Sequence, residues 1–157
     1  MTVGEETQLE LIEDTELLGP LLKEMVGFWE AARGNHAMPS PDVVHPSRLP
    51  RAALPYLSIV EVLHDPLDFR YRLVGTGVVD MAGVDRTNKL GSEVYDPETL
   101  RQALAIIQSM IDMPRPVAFG GRLTWLDRGY RSFQSLQLPL SYGGSTLDRV
   151  LATYSFS

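Results

Sequence analysis

Residues 57–76 decide the fold: LSIVEVL (57–63), HDPLD (64–68) and FRYRLVGT (69–76). The first seven residues are rich in aliphatic and β-branched side chains, as a strand requires. The next five combine Asp65, Pro66 and Asp68, the residue types of a turn. Phe69, Tyr71 and Leu73 then alternate with Arg70 and Arg72, the period of a half-buried strand. Two such runs around a five-residue turn predict a β-hairpin. Gly75-Thr76-Gly77 follows as a tight strand-to-helix turn that draws on glycine's backbone freedom. A dinucleotide-binding loop would need Gly where Asp80 stands, and a parallel βαβ setting.

Downstream of the hairpin, residues 76–94 are punctuated by glycine, with single helical turns expected at 78–82 and 90–94. Asp96 and Pro97 supply the cap and first turn of a longer helix. Its Leu100, Ala103, Leu104, Ile107 and Ile111 share one face, and Pro114 and Pro116 end it. Three further strands are expected at about 117–126, 130–140 and 147–156, joined by the turns Asp127-Arg128-Gly129 and Tyr142-Gly143-Gly144-Ser145. Hairpin-connected strands around one helical insert mean an α+β fold with an antiparallel sheet.

Upstream, Gly19-Pro20 opens an N-terminal amphipathic helix. Leu21, Leu22, Met25, Val26, Phe28, Trp29 and Ala32 recur at helical spacing, and Gly34-Asn35 is its stop signal. Pro39, Pro41, Pro46, Pro50 and Pro55 mark an arm that forms no long helix or central strand, with one helical turn expected at 47–53. Residues 1–14 are polar and are expected to fray or to form a short helix that needs a partner. The chain thus divides into an acidic tail and helix (1–34), a Pro-rich arm (35–55) and a body (56–157), all within a single domain.

The 157 residues carry a net charge of −6, unevenly distributed. Residues 1–30 hold eight acids and one base, −7, and the remainder sums to +1. With no basic block, nucleic acid and anionic membranes are excluded as principal partners. No apolar run reaches the roughly 18 residues of a spanning helix, and the N-terminus lacks a signal-peptide pattern. Zero cysteines exclude disulfides, thiolate chemistry and Cys-ligated metals. The expected location is cytoplasmic.

The order of elements, together with several short motifs, resembles the PAS fold, and within it a proteobacterial family of small stand-alone PAS-like proteins. The residues that carry the resemblance are Phe28-Trp29-Glu30 with Ala32-Arg33, Met38-Pro39-Ser40, His45-Pro46, Leu54-Pro55, the run Phe69 to Thr76, Gly83-Val84-Asp85, Tyr130 and Leu138-Pro139-Leu140. The resemblance covers about residues 20–157. It implies a five-stranded antiparallel sheet of order 2-1-5-4-3, flanked by short helices and one long helix. It further implies binding of a small ligand or cofactor between sheet and helices, or of another protein, signalling rather than catalysis, and dimerisation through an N-terminal helix. Haem-holding relatives often use a His on the long helix, and residues 97–113 contain none. Flavin photosensors form their adduct on a Cys, which this chain lacks. No cofactor is therefore expected.

Candidate ligand-binding residues come from the strands: Tyr71, Leu73, Phe119, Leu123, Trp125 and Gln134, with Gln134 or Tyr71 giving an orienting hydrogen bond to a small, mostly apolar ligand. One register slip inverts every facing, so the inward face stays open, as does a solid core with no ligand. Arg72, Arg122 and Arg131 are candidate anion contacts. Asp80, Asp85 and Glu93 flank the expected pocket, with helix capping as their ordinary role. The three His lie in or beside turns without metal-ligand spacing. Leu22, Met25, Phe28 and Trp29 are the candidate homodimer interface; packing on the chain's own sheet is the other reading of that stripe.

The function expected is therefore a stand-alone sensory or signalling domain that binds a small ligand or a partner protein. It would have no output module of its own and would act through a partner in trans. The alternatives are a small isomerase, dehydratase or thioesterase on an α+β cone or hot-dog fold, or a solid-cored dimerisation scaffold.

Overall fold

Strand 132–140 reads SFQSLQLPL, apolar at both odd and even positions along its second half. A strand of that kind must be covered on both faces, and the architecture follows from this. A computed structural model describes residues 9–122 and 132–157. Among them, one antiparallel sheet contains β1 (Glu10–Ile12), β2 (Leu57–Leu63), β3 (Asp68–Val74), β4 (Val117–Arg122), β5 (Ser132–Leu140) and β6 (Arg149–Phe156). The spatial order is β1-β4-β5-β6-β2-β3. Five strands take the order that the family resemblance implies, and β1 is a sixth. The tail expected to fray instead sets Leu11 opposite Phe119 and Ile12 opposite Ala118. The open edge of β4 supplies backbone hydrogen bonds that the short segment's own composition does not call for.

The described helices are α1 (Pro20–Arg33), α2 (Thr76–Ala82), α3 (Gly91–Val94) and α4 (Pro97–Asp112). None is long and apolar enough to cross a membrane. Helix α1 starts with Pro20 in its first turn and stops at Gly34, whose φ of 56° suits glycine. It lies on the outer face of the sheet. Leu22 and Met25 are fully buried there and Trp29 nearly so, in one core with Leu136, Leu138, Leu140 and Leu151. The Trp29 indole Nε1 donates to the Pro139 carbonyl at 2.8 Å. Of the stripe expected to form a dimer interface, Leu22, Met25 and Trp29 are therefore occupied within their own chain. Only Phe28 is part-exposed. The expectation fails for the other three because the sheet's outer face needs an apolar cover and α1 provides it.

The Pro-rich arm is fastened to the body along its length. Met38 and Pro39 are buried, and the Pro39 carbonyl accepts from the Ser141 amide at 3.0 Å. Ala53, in a 3-10 turn spanning Arg51–Tyr56, is completely buried.

The Gly75 turn works differently from its sequence reading. Its φ is −64°, open to any residue. What demands glycine is proximity: a Cβ there would lie 2.3 Å from the Pro55 carbonyl oxygen. The Gly75 amide also donates to the Leu57 carbonyl at 2.7 Å, drawing the two backbones together.

Replacing Leu22 with Ala should lower stability by about 2–5 kcal/mol, as for other fully buried leucines. An unfolding free energy, from urea titration, lowered by less than about 1 kcal/mol would show that α1 does not cover the sheet in solution.

Candidate functional site

The inner face of the sheet is roofed by α2, α3 and α4. Between floor and roof lies a cavity of about 230 Å³. For scale, an engineered apolar cavity of roughly 150 Å³ admits benzene. Its origin is visible in the strand register. Ser58 and Gln137 both stand opposite Ala152, across β2–β6 and β5–β6. Two small side chains meet at the middle of the sheet, while Tyr71, Phe119, Phe133 and Tyr154 stand around them. From the roof, Ala103 of α4 and Ala82 of α2 also leave space.

A β-bulge selects which residues of β3 face this cavity. Ile59 pairs with Leu73 but Val60 pairs with Tyr71, so Arg72 is an extra residue. The alternation slips there. Phe69, Tyr71 and Val74 line the cavity, whereas Leu73 is 47% exposed on the other side. Leu73 therefore does not line the cavity, and Val74 takes its place in the wall. Arg72 is likewise directed away from the cavity, paired with Glu61 at 2.9 Å.

Gln134 is also removed from the site. It lies on the outer face, where its Oε1 accepts from the Gly19 amide and its Nε2 donates to the Leu17 carbonyl, both at 2.9 Å. It anchors the entry to α1. The inward residues of β5 are its neighbours Phe133 and Gln137. Of the six expected ligand contacts, the structure brings Tyr71 and Phe119 together in the cavity wall. Leu123 and Trp125 lie outside the described residues, as do Tyr130 and Arg131.

The cavity has a polar end. The Tyr71 and Tyr95 hydroxyls are 2.5 Å apart. The Phe69 ring meets Tyr71 edge-on and braces the pair. A Cβ at Gly91 would strike that Phe69 ring, so glycine lets α3 close onto β3. The Ser58 Oγ and Thr99 Oγ1 border the same space, buried and without a hydrogen-bond partner. Arg86 reaches it from the loop after α2, its guanidinium carbon 5.2 Å from the centre of the Tyr95 ring.

This setting shifts two phenols. Burial first, then the neighbouring Tyr95 and Tyr154, pushes Tyr71 well above the ordinary tyrosine range, and Arg86 opposes the shift. Burial, with Tyr95 adding to it, pushes Tyr154 up to about 12. The Ser58 and Ser135 hydroxyls are near enough to oppose that shift, although Ser58 makes no well-formed bond. Both phenols are therefore neutral hydrogen-bonding groups at physiological pH.

The remaining sequence candidates have local roles. Asp85 accepts from the Thr87 amide and hydroxyl, which holds its carboxyl below the usual range. His64 sits 3.0 Å from the Leu147 carbonyl, and His45 contacts Ser47. No cluster among the described residues has the composition of a metal site. Arg86 and Tyr95 are cavity-lining residues that local pattern did not single out, and Tyr154, which alternates with Ala152 and Phe156 on the last strand, is a further one outside the six expected contacts. The α2–α3 segment has no period to place the first two, and the face of β6 is fixed only by pairing.

Sheet order, helical roof and a cavity between them define a small-molecule-sized site on a PAS-type scaffold. A family model described as PAS domain matches residues 19–155. The chain belongs to that family, and its general role is accordingly that of a sensory or signalling domain. No curated protein matches the chain.

The raised phenols predict alkaline sensitivity with a definite sign. Ionisation costs more in the folded protein than in the unfolded chain. Stability is therefore complete below pH of about 10 and is lost as pH climbs through about 12. Ultraviolet titration should show Tyr154 ionising only near 12 and Tyr71 ionising well after the exposed tyrosines. Tyr154→Phe should remove the first of these. Six tyrosines titrating together near 10 in the folded protein would contradict the buried placement.

Proposed function

We propose that this domain senses a small, largely apolar molecule bound between the sheet and α2–α4. One observation carries the reading: the floor of the cavity is kept open by Ser58 and Ala152 side by side at the sheet centre, instead of being filled by larger side chains. Aromatic walls with a few convergent hydroxyls are the general make-up of small-molecule sites. The groups at the polar end suit binding rather than catalysis. They are phenols, alcohols, an amide and a guanidinium, and no carboxylate or imidazole among the described residues lines the cavity.

The roof is the part that would carry the signal. Helices α2 and α3 span only Thr76–Ala82 and Gly91–Val94, and a long loop separates them. Short helices held by few buried side chains open at lower free-energy cost than strands of a central sheet. A ligand that favours one roof position would shift its population and change the surface offered to a partner protein.

Two measurements test this. Mass spectrometry of small molecules released from the purified protein should detect a stoichiometric apolar compound. The neutral dye Nile red should bind the emptied protein with a blue-shifted, brighter emission. Ala152→Phe, which fills the floor, should reduce dye affinity by tenfold or more while the protein stays folded. Undiminished binding in that variant would move the site elsewhere and overturn the reading.

A further inference from the structure

The cavity is bordered by a cation, Arg86, whose charge no described residue answers. Arg86 is half-buried at the polar end, over the Tyr95 ring, and no carboxylate of the described residues pairs with it. The four ion pairs formed by described residues lie elsewhere, at Lys23–Glu16, Arg33–Glu30, Arg72–Glu61 and Arg101–Glu98. Its immediate acidic neighbour, Asp85, is turned onto Thr87.

The loop that carries Arg86 is held in place. The Asn88 amide donates to the Tyr71 carbonyl at 2.7 Å, and the Tyr71 amide donates to the Lys89 carbonyl at 3.0 Å. The Arg70 guanidinium bonds the Asn88 carbonyl at 2.8 Å. The Lys89 amide closes a turn onto the Arg86 carbonyl at 2.9 Å. This segment is thus stapled to the edge of β3 at the residue whose phenol enters the cavity. A guanidinium so positioned presents planar, fixed donors, the geometry that carboxylates match. Tyr71 and Tyr154 remain protonated beside it and can donate to the same group.

We infer that the ligand is an amphiphilic monocarboxylate, an alkyl or aryl acid whose carboxylate meets Arg86 and the tyrosine hydroxyls while its apolar body lies over Ala152, Phe119 and Phe133. This rests on the cavity reading above and adds the charge and polarity of the occupant. Alternatives of the same size but neutral, such as alcohols or hydrocarbons, leave the guanidinium partly desolvated with no counter-charge, which is unfavourable.

The test compares matched probes on the full chain by titration calorimetry at neutral pH: decanoate against decanol, and naphthoate against naphthalenemethanol. A charge-assisted contact predicts that at least one acid binds about tenfold or more tightly than its alcohol. Arg86→Met should abolish that preference and leave alcohol binding within about twofold. Arg86→Lys, which keeps the charge, should restore part of it and guards against a folding defect in the first variant. Equal affinity of acid and alcohol in the unaltered protein, or a preference that survives Arg86→Met, would overturn the inference while leaving the apolar cavity intact. Failure of all four probes and of Nile red would remove the cavity reading, and this inference with it.

Discussion

The two-sided apolar character of the central sheet is the constraint on which the rest of the structure depends. Strand β5 buries Leu136, Leu138 and Leu140 on one face and Ser135 and Pro139 on the other. Water is excluded from both sides only if each has its own cover. On the outer face that cover is α1, a 14-residue helix with a continuous stripe, and the packing is tight. On the inner face it is an assembly of two short helices, a loop and α4. The second cover does not fill the space, and the site exists in the difference between them.

This division also assigns roles to the two halves of the chain. The acidity of residues 1–30 lies on and before a helix whose apolar side is fastened to the sheet by Leu22, Met25 and Trp29. Its charges are therefore the outer surface of a permanent cover, and the salt bridge of Arg33 to Glu30 is at its solvent side. The roof over the cavity is nearly the reverse: short pieces, held at β3 by edge hydrogen bonds and by aromatic contacts around Phe69 and Tyr95.

The polar groups of the cavity are gathered at one end of a mostly apolar wall. Two phenols share a hydrogen bond, a third is raised by burial, two hydroxyls are orphaned, and one guanidinium lies across an aromatic face. Each is costly to bury alone. Grouped at one end, they offer donors to a single acceptor-rich group while the remaining wall excludes water.

Local sequence determined the elements. The hairpin around HDPLD, the helix from Gly19-Pro20 to Gly34 and the helix opened by Asp96-Pro97 rest on short-range pattern and turn chemistry, and each is present with nearly the expected bounds, whereas the order of five strands is implied by the family resemblance. The sequence also marked Tyr71 and Phe119 as aromatic positions on strands. The tertiary structure alone decided which faces look inward. A single extra residue at Arg72 turns Leu73 outward and Val74 inward, and the pairing of β5 with β4 and β6 sends Gln134 to α1 and Gln137 to the cavity. It also decided that Glu10–Ile12 becomes a strand, that Trp29 is core rather than interface, and that Arg86 comes to rest beside Tyr71 and Tyr95. The physical reason is common to these cases. Periodicity fixes the relation between neighbours along the chain, but facing, register and the position of a loop are set by hydrogen bonds and contacts between residues far apart in it.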